Sequence, residues 1–93
     1  MFGFFKIIRD INDLERFLQH QGMSKGAANG CGNMLQKIYQ EYTGIARVNT
    51  LIDQFKIDFV KETQNWSSDE IRDPYADRVD MILRQSARKL VTK

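Results

Sequence analysis

Residues 31–64 read CGNMLQKIYQEYTGIARVNTLIDQFKIDFVKETQ and carry the longest hydrophobic periodicity of the chain. Apolar residues recur here on average about every 3.5 residues, which is typical of a helix with one apolar face. Four further residues widen this face beyond the narrow seam of a two-stranded coiled coil, namely Met34, Tyr39, Leu51 and Val60. The stretch therefore predicts an amphipathic bundle helix whose apolar stripe comprises Cys31, Leu35, Ile38, Tyr42, Ile45, Val48, Ile52, Phe55 and Phe59.

The length of this predicted helix leaves two alternatives. One unbroken helix would be about 50 Å long at 1.5 Å per residue, whereas a compact chain of this size has a radius of gyration of about 12 Å. The helix could break at Thr43-Gly44, because glycine costs about 1 kcal/mol in a helix interior; the chain would then be a four-helix monomer. Alternatively it stays whole and a second copy covers its stripe. The stripe passes Gly44 without changing phase, which favours the unbroken helix and a homodimer.

Two further helices flank this stretch, over residues 3–21 and 74–91. Pro74 suits the first position of the last helix, because its fixed φ is already helical. A glycine-rich connector is predicted over 22–30, and a connector with a capping turn over 65–73, where Ser67 and Glu70 have the spacing of a capping box. No segment has the alternation of a strand. The sequence predicts an all-α fold, a small bundle of three to four helices in a single domain over residues 1–93, with Tyr75, Val79, Ile82, Leu83, Ala87, Leu90 and Val91 on the apolar face of the last helix.

Composition limits the class of protein. The chain has 93 residues, too few for two independent cores. Hydrophobic residues make up 42% and charged residues 28%, which argues against intrinsic disorder and against a fibrous protein. The formal net charge of +2 is too small to indicate nucleic-acid or membrane binding by the molecule as a whole.

The single cysteine and the distribution of charge bear on location. Cys31 has no second cysteine with which to form an intrachain disulfide, which favours a reducing cytoplasm. No apolar run approaches the roughly 20 residues that span a bilayer, because Lys6 and Arg9 interrupt the N-terminal apolar group. We therefore expect a cytoplasmic protein without integral membrane association.

The residues available for catalysis or metal binding are few. His20 is the only histidine and lies at the predicted end of the first helix. A charged imidazolium there interacts favourably with the negative end of the helix dipole. A thiol at a helix N-terminus can be reactive, but Cys31 lies in phase with the apolar stripe, which favours a buried side chain. Gly22, Gly26 and Gly30 recur every four residues, so a helical stripe of close backbone approach is an alternative to a flexible connector. We expect a protein that is not an enzyme and that has no metal or cofactor.

Aromatic residues suggest where a partner would bind. Phe2, Phe4 and Phe5 stand at the start of the chain, and Tyr39 and Tyr42 lie at the edge of the long stripe. Buried aromatic side chains tend to dominate the energetics of protein interfaces. These five residues are the predicted partner-binding residues of a protein acting by protein–protein interaction as an adaptor, inhibitor or regulator.

The C-terminal segment supports an alternative function. Residues 84–93 contain four basic residues and no acidic one: Arg84, Arg88, Lys89 and Lys93. Basic residues at the end of a helix stabilise it through the helix dipole, which explains this cluster without a ligand. The same cluster could instead contact phosphates, so the alternative is a small nucleic-acid-binding regulator.

Overall fold

The computed structural model describes residues 2–91, with side chains from residue 8 onward. Within that range the chain forms helices without any strand, so the predicted all-α bundle is confirmed. The helices are α1 (Phe2–His20), α2 (Lys25–Glu41), α3 (Val48–Glu62), α4 (Ser68–Arg72) and α5 (Ala76–Val91). Four long helices and one short helix therefore replace the three or four that were predicted.

The long stripe is broken in the middle, so the preference for an unbroken helix is wrong. α2 ends at Glu41, and α3 begins only at Val48. Gly44 lies between them against the last turn of α5, where an added Cβ would be 3.1 Å from Cγ1 of Val91. A side chain at Gly44 would thus require Val91 to shift by a few tenths of an ångström. The two halves of the stripe fold back into one core, so the sequence argument for a dimer, which required an uncovered stripe, no longer applies.

Helix packing produces a bundle with a single apolar core. α1 packs against α2 and α3, and α5 packs against the same two helices. The Cα radius of gyration is 12.6 Å, as expected for a compact chain of this length. Phe59 is fully buried at the centre, where its ring contacts those of Phe17, Phe55 and Trp66 at centroid distances of 6.2, 5.5 and 6.3 Å. Other large side chains that are fully buried are Leu14, Leu18, Leu35, Ile38, Leu51 and Leu83.

The predicted connector over 22–30 is mostly helix, which corrects that prediction. α2 already begins at Lys25, because the hydroxyl of Ser24 accepts a hydrogen bond from the Ala27 amide at 3.2 Å and caps the helix. The true connector is a tight turn in which Gly22 has a φ of 108°, a conformation that favours glycine. A Cβ at Gly26 or Gly30 would meet nothing within 4 Å. These two glycines therefore do not form a stripe of close helix approach.

Gly32 is the glycine that brings two helices together. It is buried, and an added Cβ would lie 2.8 Å from Cγ2 of Ile11 and 2.7 Å from Oε2 of Glu15. Real Cβ atoms do not approach other atoms so closely. Two side chains of α1 thus occupy the space that a side chain at this position of α2 would need.

The predicted connector over 65–73 contains α4, and its capping box is confirmed. The Ser67 hydroxyl accepts a hydrogen bond from the Glu70 amide at 3.2 Å, and the Glu70 carboxylate accepts one from the Ser67 amide at 2.8 Å. The amide of Ser24 donates to the Arg72 carbonyl at 2.8 Å, which ties α4 to the turn between α1 and α2. Tyr75, which was predicted to lie on the apolar face of the last helix, is 76% exposed, because α5 begins one residue later.

Candidate functional site

A shallow groove follows the outer flank of α5. One cavity of about 480 Å³ is lined by Met81, Gln85, Arg88 and Lys89. A smaller cavity of about 120 Å³ shares Met81 and Gln85 with it. The two cavities thus form one depression, here called the α5 groove, and the smaller one extends it toward α3 with Glu62, Trp66, Arg78 and Ile82.

Met81 is the apolar centre of the α5 groove. Its side chain is 61% exposed, although hydrophobic residues elsewhere on α5, such as Ile82 and Leu83, are buried. Exposure of one large apolar residue is ordinary. Its position between a tryptophan and several long polar side chains is the feature that makes this flank a candidate binding surface.

Trp66 forms the end of the α5 groove that is nearest α4, and three interactions hold it there. Its ring packs edge-on against Phe59 at 6.3 Å, and the guanidinium of Arg78 stacks on its face at 3.7 Å from the centroid. Arg78 donates in turn to Glu70 at 2.8 Å. The hydrogen bond from the Ser67 amide and the one from Arg78 hold the pKa of Glu70 below its ordinary value. The capping box of α4 thus positions the arginine that covers the tryptophan.

A buried carboxylate on α3 joins α3 to the middle of α5. Asp58 is only 2% exposed and accepts hydrogen bonds from Ser86 at 2.6 Å, Lys89 at 2.8 Å and Gln54 at 3.1 Å. Burial acts to raise the pKa of Asp58, but these hydrogen bonds outweigh it and lower the pKa. The carboxylate thus stays ionised and holds Lys89 at the rim of the α5 groove.

This polar cluster lacks the access that nucleophilic catalysis needs. Ser86 is fully buried, and its hydroxyl also lies 2.9 Å from the carbonyl of Ile82.

Cys31 is likewise buried beside the sulfur of Met23 at 3.7 Å. Burial, together with the charge of Glu15, raises the pKa of the Cys31 thiol to about 12, so the thiolate is scarce at neutral pH. Among residues 2–91, no group of histidine, cysteine or acidic side chains is placed to hold a metal ion.

The predicted nucleic-acid cluster is divided between different contacts. Arg84 donates to Glu41 at 2.9 Å and to Asp80 at 2.8 Å, and hydrogen bonds to Glu41 and then Asp80 raise its pKa above the ordinary arginine value. Lys89 is bound to Asp58. Arg88 is exposed on the α5 groove, and Lys93 lies outside the described residues. Two of the four residues predicted to contact phosphates, Arg84 and Lys89, are thus already paired with carboxylates of the protein.

The predicted aromatic binding residues do not form an exposed patch within the described side chains. Tyr39 and Tyr42 are half-buried and pack against the core, and the Tyr39 hydroxyl lies 3.5 Å from the Ala46 carbonyl. The side chains of Phe2, Phe4 and Phe5 lie outside those that the structure describes. Antiparallel packing of α1 on α2 places the backbone of the first turn of α1 at the same end of the bundle as Tyr42.

Sequence reasoning missed the α5 groove, although it had partial signals. Met81 is hydrophobic but falls outside the apolar set of the last helix. Asp58 is charged but falls between Phe55 and Phe59 at the end of the apolar stripe. An apolar residue on the polar face of a helix, or a charged residue on its apolar face, indicates a specific contact at that position. The sequence does not identify the residue on the neighbouring helix that makes this contact.

Comparison of the chain with protein-family models, characterised proteins and solved structures finds no match. Within residues 2–91, no helix has the length and hydropathy needed to cross a membrane.

Proposed function

We propose that this protein is a non-enzymatic binding protein that docks another protein on the α5 groove. The observation that carries the proposal is Met81, a large apolar side chain that is 61% exposed and lines both cavities of the α5 groove. An exposed apolar side chain bordered by polar groups fits the anatomy of a protein-binding hot spot, which has an apolar centre and a polar rim. An adaptor, inhibitor or regulator would act by occupying or presenting such a surface.

Two contacts make this surface suitable for docking because they order it before a partner arrives. Trp66 is clamped between Phe59 and Arg78, and Lys89 is held by the buried carboxylate of Asp58. Ordering long side chains on binding costs about 0.5–1.5 kcal/mol each. Side chains that are already ordered avoid part of this cost.

The burial of Ser86 and Cys31 supports a binding role rather than a catalytic one. The nucleic-acid alternative stays a prediction, and it now relies mainly on Arg88. It predicts binding to duplex DNA that weakens as salt is added and is lost in Arg88→Ala. Binding that is insensitive to salt would contradict it.

A selection experiment tests the proposed docking surface. A library of displayed helical peptides is selected on the wild-type protein, and the selected peptides are measured individually against Met81→Asp and Ile57→Asp. Ile57 is a matched control, because it is 64% exposed but lies outside the lining of the α5 groove. We expect Met81→Asp to weaken binding at least tenfold and Ile57→Asp to leave it unchanged. Equal binding to both variants and to the wild type would contradict the proposal.

A further inference from the structure

The α5 groove has one cation whose charge no carboxylate in the described part of the chain offsets. Arg88 is exposed, and its Nε donates only to the Arg84 carbonyl at 3.4 Å. The neighbouring cations differ, since Arg84 contacts two carboxylates and Lys89 contacts Asp58. Arg88 is therefore the guanidinium that an incoming carboxylate could engage without displacing an existing ion pair.

The two ends of the α5 groove differ in charge. Glu62 lines the end beside Trp66, and it makes no ion pair with any described residue. Arg88 lines the other end, and Met81 lies in the shared middle. An occupant that complements this order places a carboxylate at the end away from Trp66 and an apolar side chain at the centre.

The spacing of Met81 and Arg88 suits a helix. They are seven residues apart on one side of α5, about two turns or 10.5 Å along the axis. A second helix laid along α5 presents its own residues i and i+7 on one face at the same separation. An apolar residue at i and an acidic residue at i+7 would then reach both groups together.

We propose that the α5 groove takes an acidic amphipathic helix of another protein, which sets a large aliphatic side chain on Met81 and a carboxylate on Arg88. This inference rests on the proposed function and names the chemistry of its partner. A carboxylate can accept two parallel hydrogen bonds from a guanidinium, so the contact has a defined geometry as well as charge attraction. Helix-in-groove recognition of this kind relies on anchors at i, i+3, i+4 and i+7.

Trp66 is the only tryptophan of the chain and lines the α5 groove, so its fluorescence reports occupancy. The probes are three synthetic 18-residue helical peptides without tryptophan. Each carries leucine at one position and, seven residues later, glutamate, glutamine or lysine. We expect saturable emission changes with a dissociation constant at least tenfold lower for the glutamate peptide than for the lysine peptide. Arg88→Glu should reverse this preference.

Lys37→Glu is the matched control for the charge reversal. Lys37 is an exposed lysine on α2 and does not line the α5 groove, so its replacement alters the net charge by the same amount. The preference for the glutamate peptide should persist in this variant. Loss of the preference in Lys37→Glu would indicate attraction by net charge alone and would overturn the assignment to Arg88.

The remaining outcomes separate this inference from the function on which it rests. If all three peptides bind equally and Met81→Asp abolishes binding, the groove docks helices but the acidic chemistry is wrong. If none of the peptides changes Trp66 emission, the acidic-helix proposal is overturned. If the protein doubles its mass on concentration and Met81→Asp abolishes the doubling, the occupant is a second copy and the inference fails.

Discussion

Replacing single glycines of α2 by alanine distinguishes a helix packed on α1 from a flexible connector. Gly30 lies inside α2, and an added Cβ there meets nothing within 4 Å. Alanine is favoured over glycine in a helix interior by about 1 kcal/mol. Gly30→Ala should therefore stabilise the protein by about that amount, which corresponds to a rise of about 4–8 °C in Tm for a domain of this size.

The same change at Gly32 should have the opposite sign. A Cβ there would be 2.8 Å from Cγ2 of Ile11, a β-branched side chain with little rotational freedom. Glu15, whose carboxylate is 2.7 Å away, can move aside because it is long and flexible. Overpacking costs about 1–3 kcal/mol, so after the helix gain of about 1 kcal/mol the variant should be less stable than the wild type by up to about 2 kcal/mol.

Thermal and urea unfolding of both variants, followed by circular dichroism, provide the measurement. The two substitutions are chemically identical and two residues apart, so their difference isolates the contact with α1. Gly30→Ala should raise Tm and Gly32→Ala should lower it. A connector over 22–30 would instead make Gly30→Ala neutral. A rise in Tm for Gly32→Ala would refute the close approach of α1 and α2.

Three other predictions follow from the buried groups and the broken stripe. Asp58→Asn should cost about 2 kcal/mol at pH 7, because a buried acceptor loses its charged hydrogen bonds. The pKa of Asp58 is lower in the folded state than its unfolded value of about 3.9, so its contribution to the free energy of unfolding is complete above about pH 3.9 and is lost as the pH falls through the folded pKa. Urea unfolding from pH 7 to pH 2 should therefore show the stabilities of wild type and Asp58→Asn converging. A difference in stability that stays constant with pH would contradict this. Cys31 should react with a thiol reagent at pH 8 about a hundredfold more slowly in the folded protein than in denaturant, since it is buried; equal rates would show an accessible thiol. Light scattering of the free chain should give a mass near 10.9 kDa, because the stripe that would have joined two copies is buried; a doubled mass at low concentration would contradict that interpretation.

Local patterns in the sequence were sufficient for the helices and for some of their caps. The spacing of apolar residues predicted the all-α bundle, and Ser67 with Glu70 predicted the capping box that the structure contains. Both depend on residues within a few positions of one another. Such interactions can be inferred from one chain without knowledge of the tertiary fold.

The break between α2 and α3 could not be inferred from local periodicity. The stripe keeps its phase through Gly44, although the helix stops there and both halves bury their apolar residues in the same core. The connection between α2 and α3 lies against Val91, 47 residues further along the chain. A phase argument has no access to such a contact.

The candidate site was missed for a similar reason. Aromatic residues were the predicted binding residues, whereas Tyr39 and Tyr42 are half-buried and pack against the core. The α5 groove combines Trp66 from the connection between α3 and α4 with Met81 and Arg88 from α5, and only tertiary packing brings these residues together. The sequence shows that Met81 is an apolar residue outside the apolar face of the last helix, but it does not show which residues surround it.

The most direct test of the account locates a bound helical peptide on the protein. The ¹⁵N-labelled chain is titrated with the glutamate peptide, and backbone and indole chemical shifts are followed by two-dimensional NMR. The α5 groove predicts the largest changes at residues 78–89 and at the indole of Trp66. Changes confined to the surface around Tyr39 and Tyr42, and absent from residues 78–89, would contradict it and restore the binding surface first predicted from the aromatic residues.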